Sequence, residues 1–158
     1  MRKCLIELVL VMLMLTSCST GSEDSNQLGI YEIEIAQSGD YDKFKLHASV
    51  SSEEGDGSLI YSDNGKSLGI YYILNEEDIQ KDELRFYTTN KALGLLFTCS
   101  AFNINEVKRD SMSLFVKAYF NGRVILEKLH TFYSHFPDEL YPDIVVDNSI
   151  NIQLRDFK

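Results

Sequence analysis

Three histidines, three cysteines and 24 carboxylates are the side chains of this 158-residue chain with the means to do chemistry. Their spacing speaks against most of it. His47 falls on the polar side of an alternating run, which predicts a solvent-exposed ring. His130 sits in a second alternating run between Leu129 and Thr131, and His135 follows five residues on. Two ligands on one strand face need i, i+2 spacing. With no HExxH or CxxC either, no zinc or iron site is expected. A serine hydrolase would need a sharp elbow of the G-x-S-x-G kind, which is missing. Cys99 lies inside Ala92–Phe102 (ALGLLFTCSAF), the most apolar run beyond the N-terminal segment. Burial raises a thiol's pKa and makes it inert, so Cys99 reads as structural. Phosphate-loop and dinucleotide motifs are absent as well. The expectation is a non-enzyme with no catalytic residue and no cofactor.

Carboxylates cluster at Glu53-Glu54-Gly55-Asp56-Gly57 and at Glu76-Glu77-Asp78. A carboxylate pair can run glycoside hydrolysis, but these runs read as solvated loops. The first does not match the D-x-[DN]-x-[DN]-G calcium loop. It would bind calcium only weakly, and only if Asp63 or another loop acid converged on it, so no metal is expected. Aromatic rings are numerous but Trp is absent, which removes the usual sugar-stacking residue. Adjacent rings such as Tyr71-Tyr72 must point to opposite sheet faces, and most rings read as core. One loop stands apart, His135-Phe136-Pro137-Asp138-Glu139-Leu140-Tyr141-Pro142. It carries apolar side chains where a loop is ordinarily polar. His135, Phe136 and Tyr141 are therefore the candidate contacts for a protein or ligand.

The N-terminus is an address. Arg2 and Lys3 precede the apolar run Leu8–Leu15, which ends at Leu15-Thr16-Ser17-Cys18. Eight apolar residues fall short of the roughly 20 that span a bilayer as a helix. The pattern is a secretory leader. Leu15-Thr16-Ser17-Cys18 resembles the lipobox of bacterial lipoproteins. The resemblance implies diacylation of Cys18, cleavage just before it, and a membrane partner reached through lipid. Ser19 follows the cysteine where an inner-membrane-retention signal would place Asp, which is compatible with the outer membrane. Ser22-Glu23-Asp24 resembles, weakly, the acidic surface-export signals of Bacteroidetes lipoproteins, and the whole chain resembles their small β-rich members. Residues 1–17 then form the leader, 18–27 a polar tether too short of apolar groups to order itself, and 28–158 a single domain. Periplasmic and cell-surface placements both fit.

Without residues 1–17 the chain holds 13 basic and 23 acidic side chains, a net charge of −10. Phosphate binding needs clustered Lys and Arg, so nucleic acid is not expected as a partner. Another envelope protein or a glycan is. Cys18, consumed by lipid, leaves Cys99 without a disulfide partner. Small lipoproteins with transthyretin-like sandwiches anchor secretion machines, so a place in an envelope-spanning assembly is a further reading at fold level alone.

Alternation of period two dominates the body and predicts strands. Tyr31, Ile33 and Ile35 share one face, and Phe44, Leu46, Ala48 and Val50 another. With Ser38-Gly39-Asp40 between them, the two runs are expected to pair as a hairpin. Leu59–Tyr61 and Leu68–Leu74 flank Asn64-Gly65, and Met112–Phe120 and Val124–Tyr133 flank Asn121-Gly122. Asn-Gly suits the type I′ turn, so both pairs should be hairpins. Asn75–Glu83 fits one helical turn, Leu84–Thr89 a strand, and Ala92–Phe102 a central strand buried on both faces. Ser134–Asn148 holds both prolines and should cross a sandwich edge, and Ile150, Ile152 and Leu154 mark a final strand. Eight or nine strands without a useful amphipathic helix make an all-β antiparallel sandwich, immunoglobulin-like or transthyretin-like, with a closed barrel as the alternative.

Overall fold

In the computed structural model, which describes residues 27–53, 57–89, 91–103, 110–134 and 148–157, alternation becomes ten strands. They are β1 Tyr31–Gly39, β2 Phe44–Ser52, β3 Ile60–Ser62, β4 Ser67–Gly69, β5 Tyr71–Ile73, β6 Glu83–Thr88, β7 Leu95–Asn103, β8 Ser111–Phe120, β9 Arg123–Tyr133 and β10 Ser149–Gln153. Two antiparallel sheets result, one ordered β4-β3-β6-β1-β8-β9 and the other β10-β7-β2-β5. The sheets stay separate, so the architecture is a sandwich and not a closed barrel. The strand faces are those the sequence predicts. Tyr31, Ile33 and Ile35 from β1, with Leu114, Val116 and Ala118 from β8, meet Phe44, Leu46, Ala48 and Val50 from β2 in one buried core. Each of these side chains larger than alanine contributes about 1.5–3 kcal/mol by leaving water.

β1 and β2 do not form the expected hairpin. β1 lies between β6 and β8, and β2 lies between β5 and β7 in the opposite sheet. The connection is an arch. Gly39 takes φ +85°, Asp40 N donates to Ser111 O at 2.9 Å, and a 3-10 turn over Tyr41–Lys43 carries the chain across. An added Cβ at Gly39 would stand 2.6 Å from the Ser111 carbonyl, so both the turn and the close approach to β8 require glycine. The two apolar faces thus look at each other through the core instead of standing side by side.

β8 and β9 do pair, through Asn121 (φ 49°) and Gly122 (φ 78°), the left-handed pair that a type I′ turn demands. The Asn64-Gly65 hairpin forms with a different turn. Only Gly65 is left-handed there, and Ser62 N donates to Lys66 O at 3.0 Å across a longer loop. The expected strand Leu68–Leu74 breaks after Gly69 (φ +84°), so β4 completes one sheet and β5 begins the edge of the other. The expected helical turn is present as α1, Glu76–Ile79, closed by a reciprocal capping box between Asn75 and Asp78.

β7 is central, between β10 and β2, but not buried on both faces. Leu95, Phe97, Cys99 and Ala101 face the core, whereas Phe102 on the other face is 55% exposed. No described element covers the outside of that sheet. Ser134–Asn148 falls almost wholly outside the described residues, yet β9 and β10, on either side of it, belong to different sheets.

Candidate functional site

The predicted sites fare unequally. Cys18, His135, Phe136 and Tyr141 lie outside the described residues. His47 is exposed on β2, as expected, with its ring edge-on to Phe102 at 5.8 Å. His130 is on β9, in the other sheet, packed at 4.6 Å against Phe132. Among the described residues no three His, Cys, Asp or Glu side chains are grouped closely enough to hold a metal ion. Of the adjacent ring pair, Tyr71 is exposed and Tyr72 turns inward, where its hydroxyl donates to Asp78. Burial and that hydrogen bond push the Tyr72 phenol up to about 12.

Cys99 is buried on β7, and desolvation pushes its thiol up to about 12. At pH 8 only about one molecule in 10⁴ would then be thiolate, against roughly a quarter for a free cysteine. Iodoacetamide should therefore label the Cys99 peptide about a thousandfold more slowly in the folded chain than in guanidinium. Equal labelling rates, read by peptide mass, would mean that the thiol is accessible and that β7 is misplaced.

Two ends of the sandwich gather charge. At one, the β1–β2 arch and the start of β8 bring Asp40, Asp42 and Asp110 around Lys43. Asp42 bonds Lys43 Nζ at 2.7 Å and raises its pKa, with smaller contributions from Asp110 and Asp40. A lysine already answers those carboxylates, of which Asp40 and Asp42 are exposed.

The opposite end is built differently. Gly29 exchanges backbone hydrogen bonds with Ala92 at 3.0 and 3.1 Å, so the beginning of the described chain is fixed here. The buried Tyr31 donates its hydroxyl to Leu93 O at 2.8 Å. Residues 92–94 are thereby held as a floor, and Glu53, just past β2, docks on it through N–H to Gly94 O at 3.2 Å. Arg155, from the 3-10 turn Leu154–Phe157, forms an ion pair with Glu53 Oε1. The other oxygen, Oε2, is buried and has no hydrogen-bond partner among the described residues. It lies so close to Gly94 that an added Cβ there would come within 2.6 Å of it. Glu53 is the first residue of the acidic run singled out in the sequence. Asp63 does not converge on it, because the β3–β4 turn carries Asp63 toward Lys81, whose pKa it helps to raise. Gly94 and Arg155 give no sign of this role in the sequence, since neither is near the acidic run.

The outer face of the six-stranded sheet is a polar ladder. Arg85 bonds Glu32 at 2.7 Å, Tyr119 donates to Glu34 at 2.7 Å, and Lys117 pairs with Glu127 at 2.9 Å. These exposed pairs contribute little to stability. They keep the middle of that face hydrophilic.

A family model described as "PLAT/LH2 and C2-like Ca2+-binding lipoprotein" matches residues 1–139. No curated protein matches the chain. Three solved structures share the fold. A DUF4425 family protein from Bacteroides ovatus superimposes with a TM-score of 0.65 at 18% identity, covering 80% of this chain and 96% of that one. A DUF4425 domain of unknown function from Bacteroides vulgatus gives 0.64 at 19% identity, covering 80% and 95%. A Parabacteroides distasonis protein, whose structure was determined in a calcium-bound form, gives 0.65 at 24% identity, covering 85% and 98%.

Proposed function

The chain belongs to the PLAT/LH2 and C2-like Ca2+-binding lipoprotein family, and from that premise we propose that it is a lipid-anchored, non-catalytic binding module of the outer membrane whose Glu53 end takes up calcium. The observation that carries the calcium reading is the unpartnered Glu53 Oε2. A buried carboxylate oxygen without a donor costs free energy, and a hard cation is the partner its chemistry suits. Calcium takes about six to eight oxygens. Glu53 supplies one among the described residues, and Glu54 and Asp56 follow within three positions of it in the sequence. Arg155 holds the carboxylate in place through Oε1 and leaves Oε2 available. This reading replaces the expectation of no cofactor. An inert thiol and two histidines in different sheets favour binding over catalysis. Anchoring at Cys18 and placement in the outer membrane rest on the N-terminal sequence, with Ser19 after the cysteine.

The test is thermal unfolding of the full-length protein in detergent, with and without calcium. A ligand present at 100 times its Kd stabilises by about 2.7 kcal/mol, which for a chain of this size raises Tm by roughly 5–10 °C. Glu53→Gln should abolish that increment and Asp63→Asn should preserve it. The quantity compared is the calcium-induced shift within each variant, so a changed baseline stability does not confuse it. No shift in the unsubstituted protein defeats the calcium reading, and a shift that survives Glu53→Gln defeats the site.

A further inference from the structure

The strands run between two ends of the sandwich, the Glu53 end and the arch end, and exposed apolar side chains favour the first. Leu28 and Ile30 lead into β1 and Leu59 into β3, and Ile70 joins β4 to β5. Val124 lies at the start of β9, and Phe157 in the turn after β10. The strand registers bring all six to the Glu53 end. Each is exposed, Ile70 by 58% and Leu28 by 50%. The arch end offers Tyr41, Phe102 and Tyr133, two of which carry a hydroxyl. Charge divides the same way. Among the described residues the Glu53 end holds Lys91, Arg123 and Arg155 against Glu53 and Asp156. The arch end holds Asp40, Asp42, Asp82, Glu83 and Asp110 against Lys43 and Lys81. A chain of net charge −9 thus turns its more apolar and more cationic end toward its N-terminal segment.

We propose that the Glu53 end is a lipid-contact surface, on which the sandwich stands end-on against the bilayer that holds its anchor. The inference rests on the lipid-anchor reading above and not on the calcium reading. The occupant follows from the attachment. From Cys18 to Leu28 the chain advances ten residues, which span at most about 36 Å. Strands of 9 to 11 residues make the sandwich itself about 30–35 Å long. Laying the arch end on the bilayer would therefore stretch that segment nearly taut, whereas the Glu53 end reaches the surface without extension. Such confinement acts as a high effective concentration, so a weak affinity for lipid suffices. The apolar residues are also spread for a plane and not gathered into a groove. Ile70 links the edge strands β4 and β5 on one side of the sandwich. Val124 and Phe157 stand on the other side, on β9 and just beyond β10, the opposite edges of the two sheets. A bilayer interface takes up apolar side chains singly, and anionic headgroups attract the cations beside them.

Depth-dependent quenching tests this on the full-length, lipidated protein in vesicles of phosphatidylethanolamine and phosphatidylglycerol. Ile70→Cys, Val124→Cys and Tyr41→Cys each carry one thiol-linked fluorophore at an exposed position, with Cys99 too buried to label. Positions 70 and 124 are far from the anchor in sequence, and bromine quenches only at near contact, so attachment alone does not imitate the signal. Acyl chains brominated close to the headgroup should quench the labels at 70 and 124 at least threefold more than the label at 41. Removing calcium with a chelator should leave that ratio unchanged, because side chains and not a bridging ion make the contact. Protein that floats with the vesicles while 70 and 124 stay unquenched would overturn the inference and leave the anchor standing. Equal quenching at all three positions, or quenching lost on chelation, would overturn it too. Protein that does not float with the vesicles would defeat the anchor reading and the inference with it.

Discussion

The variant Val116→Asp will fail to fold at neutral pH. Val116 is fully buried at the centre of β8, opposite Ile35 on one side and Lys128 on the other, with its side chain turned toward the four-stranded sheet. Removing the valine forfeits about 2 kcal/mol of burial. The carboxylate then meets an apolar core, and the cheapest escape is to take up a proton. Holding an Asp neutral at pH 7, from an ordinary value of about 3.9, costs about 4 kcal/mol. The sum of about 6 kcal/mol is comparable with the whole stability of an ordinary domain. The sign of the pH dependence follows. The native state of the variant binds the extra proton, so its stability falls as pH rises above about 4, by up to about 1.4 kcal/mol per unit. Val116→Asn loses the burial without the titration and should show no such slope relative to the unsubstituted chain. Denaturant unfolding of the three chains between pH 4 and 7 checks this. A Val116→Asp protein of ordinary stability would mean that β8 presents its other face to the core.

That face was readable from the sequence because period two admits two assignments, and Leu114, Val116, Ala118 and Phe120 choose between them. The same logic read β1, β2 and β10 correctly. Alternation does not say which strand lies alongside which. Tyr31–Ile35 and Phe44–Val50 carry identical patterns whether they pair or face each other across a core. Only the left-handed Gly39 and the hydrogen bonds that Asp40 makes with Ser111, more than seventy residues away, decide for the arch. The apolar run around Cys99 misled in a related way. Leu96 and Phe102 make the run look continuously hydrophobic, yet the sheet's outer face has no described cover and they stand on it.

The candidate site was half visible. Five residues from Glu53 announce acidity, and period and composition can do no more than that. What distinguishes Glu53 from its neighbours is a floor held by Tyr31, a glycine 41 positions on and an arginine about a hundred positions on. Such long-range convergence leaves no local signal. Asp63 looked the nearer partner, but a hairpin turn carries it to Lys81 instead.

Cys18→Ala should move the protein from the membrane fraction to the soluble one while leaving the fold intact. The thiol is the acceptor that lipidation requires, and alanine offers none. Each buried CH₂ contributes about 0.8 kcal/mol to partition, so two or three acyl chains hold firmly where one holds only marginally. The N-terminal apolar run, Leu8–Leu15, is less than half the length of a spanning helix. Among the described residues no helix is long and apolar enough to cross a membrane. The ten strands begin at Tyr31, well beyond the substituted position, so circular dichroism of the released chain should keep its β-type spectrum. The variant therefore separates attachment from folding. Loss of metabolic fatty-acid labelling together with loss of membrane partition would assign the anchor to Cys18. Partition that survives the substitution and a carbonate wash would mean that the sandwich itself, or a partner bound to it, holds the protein at the membrane.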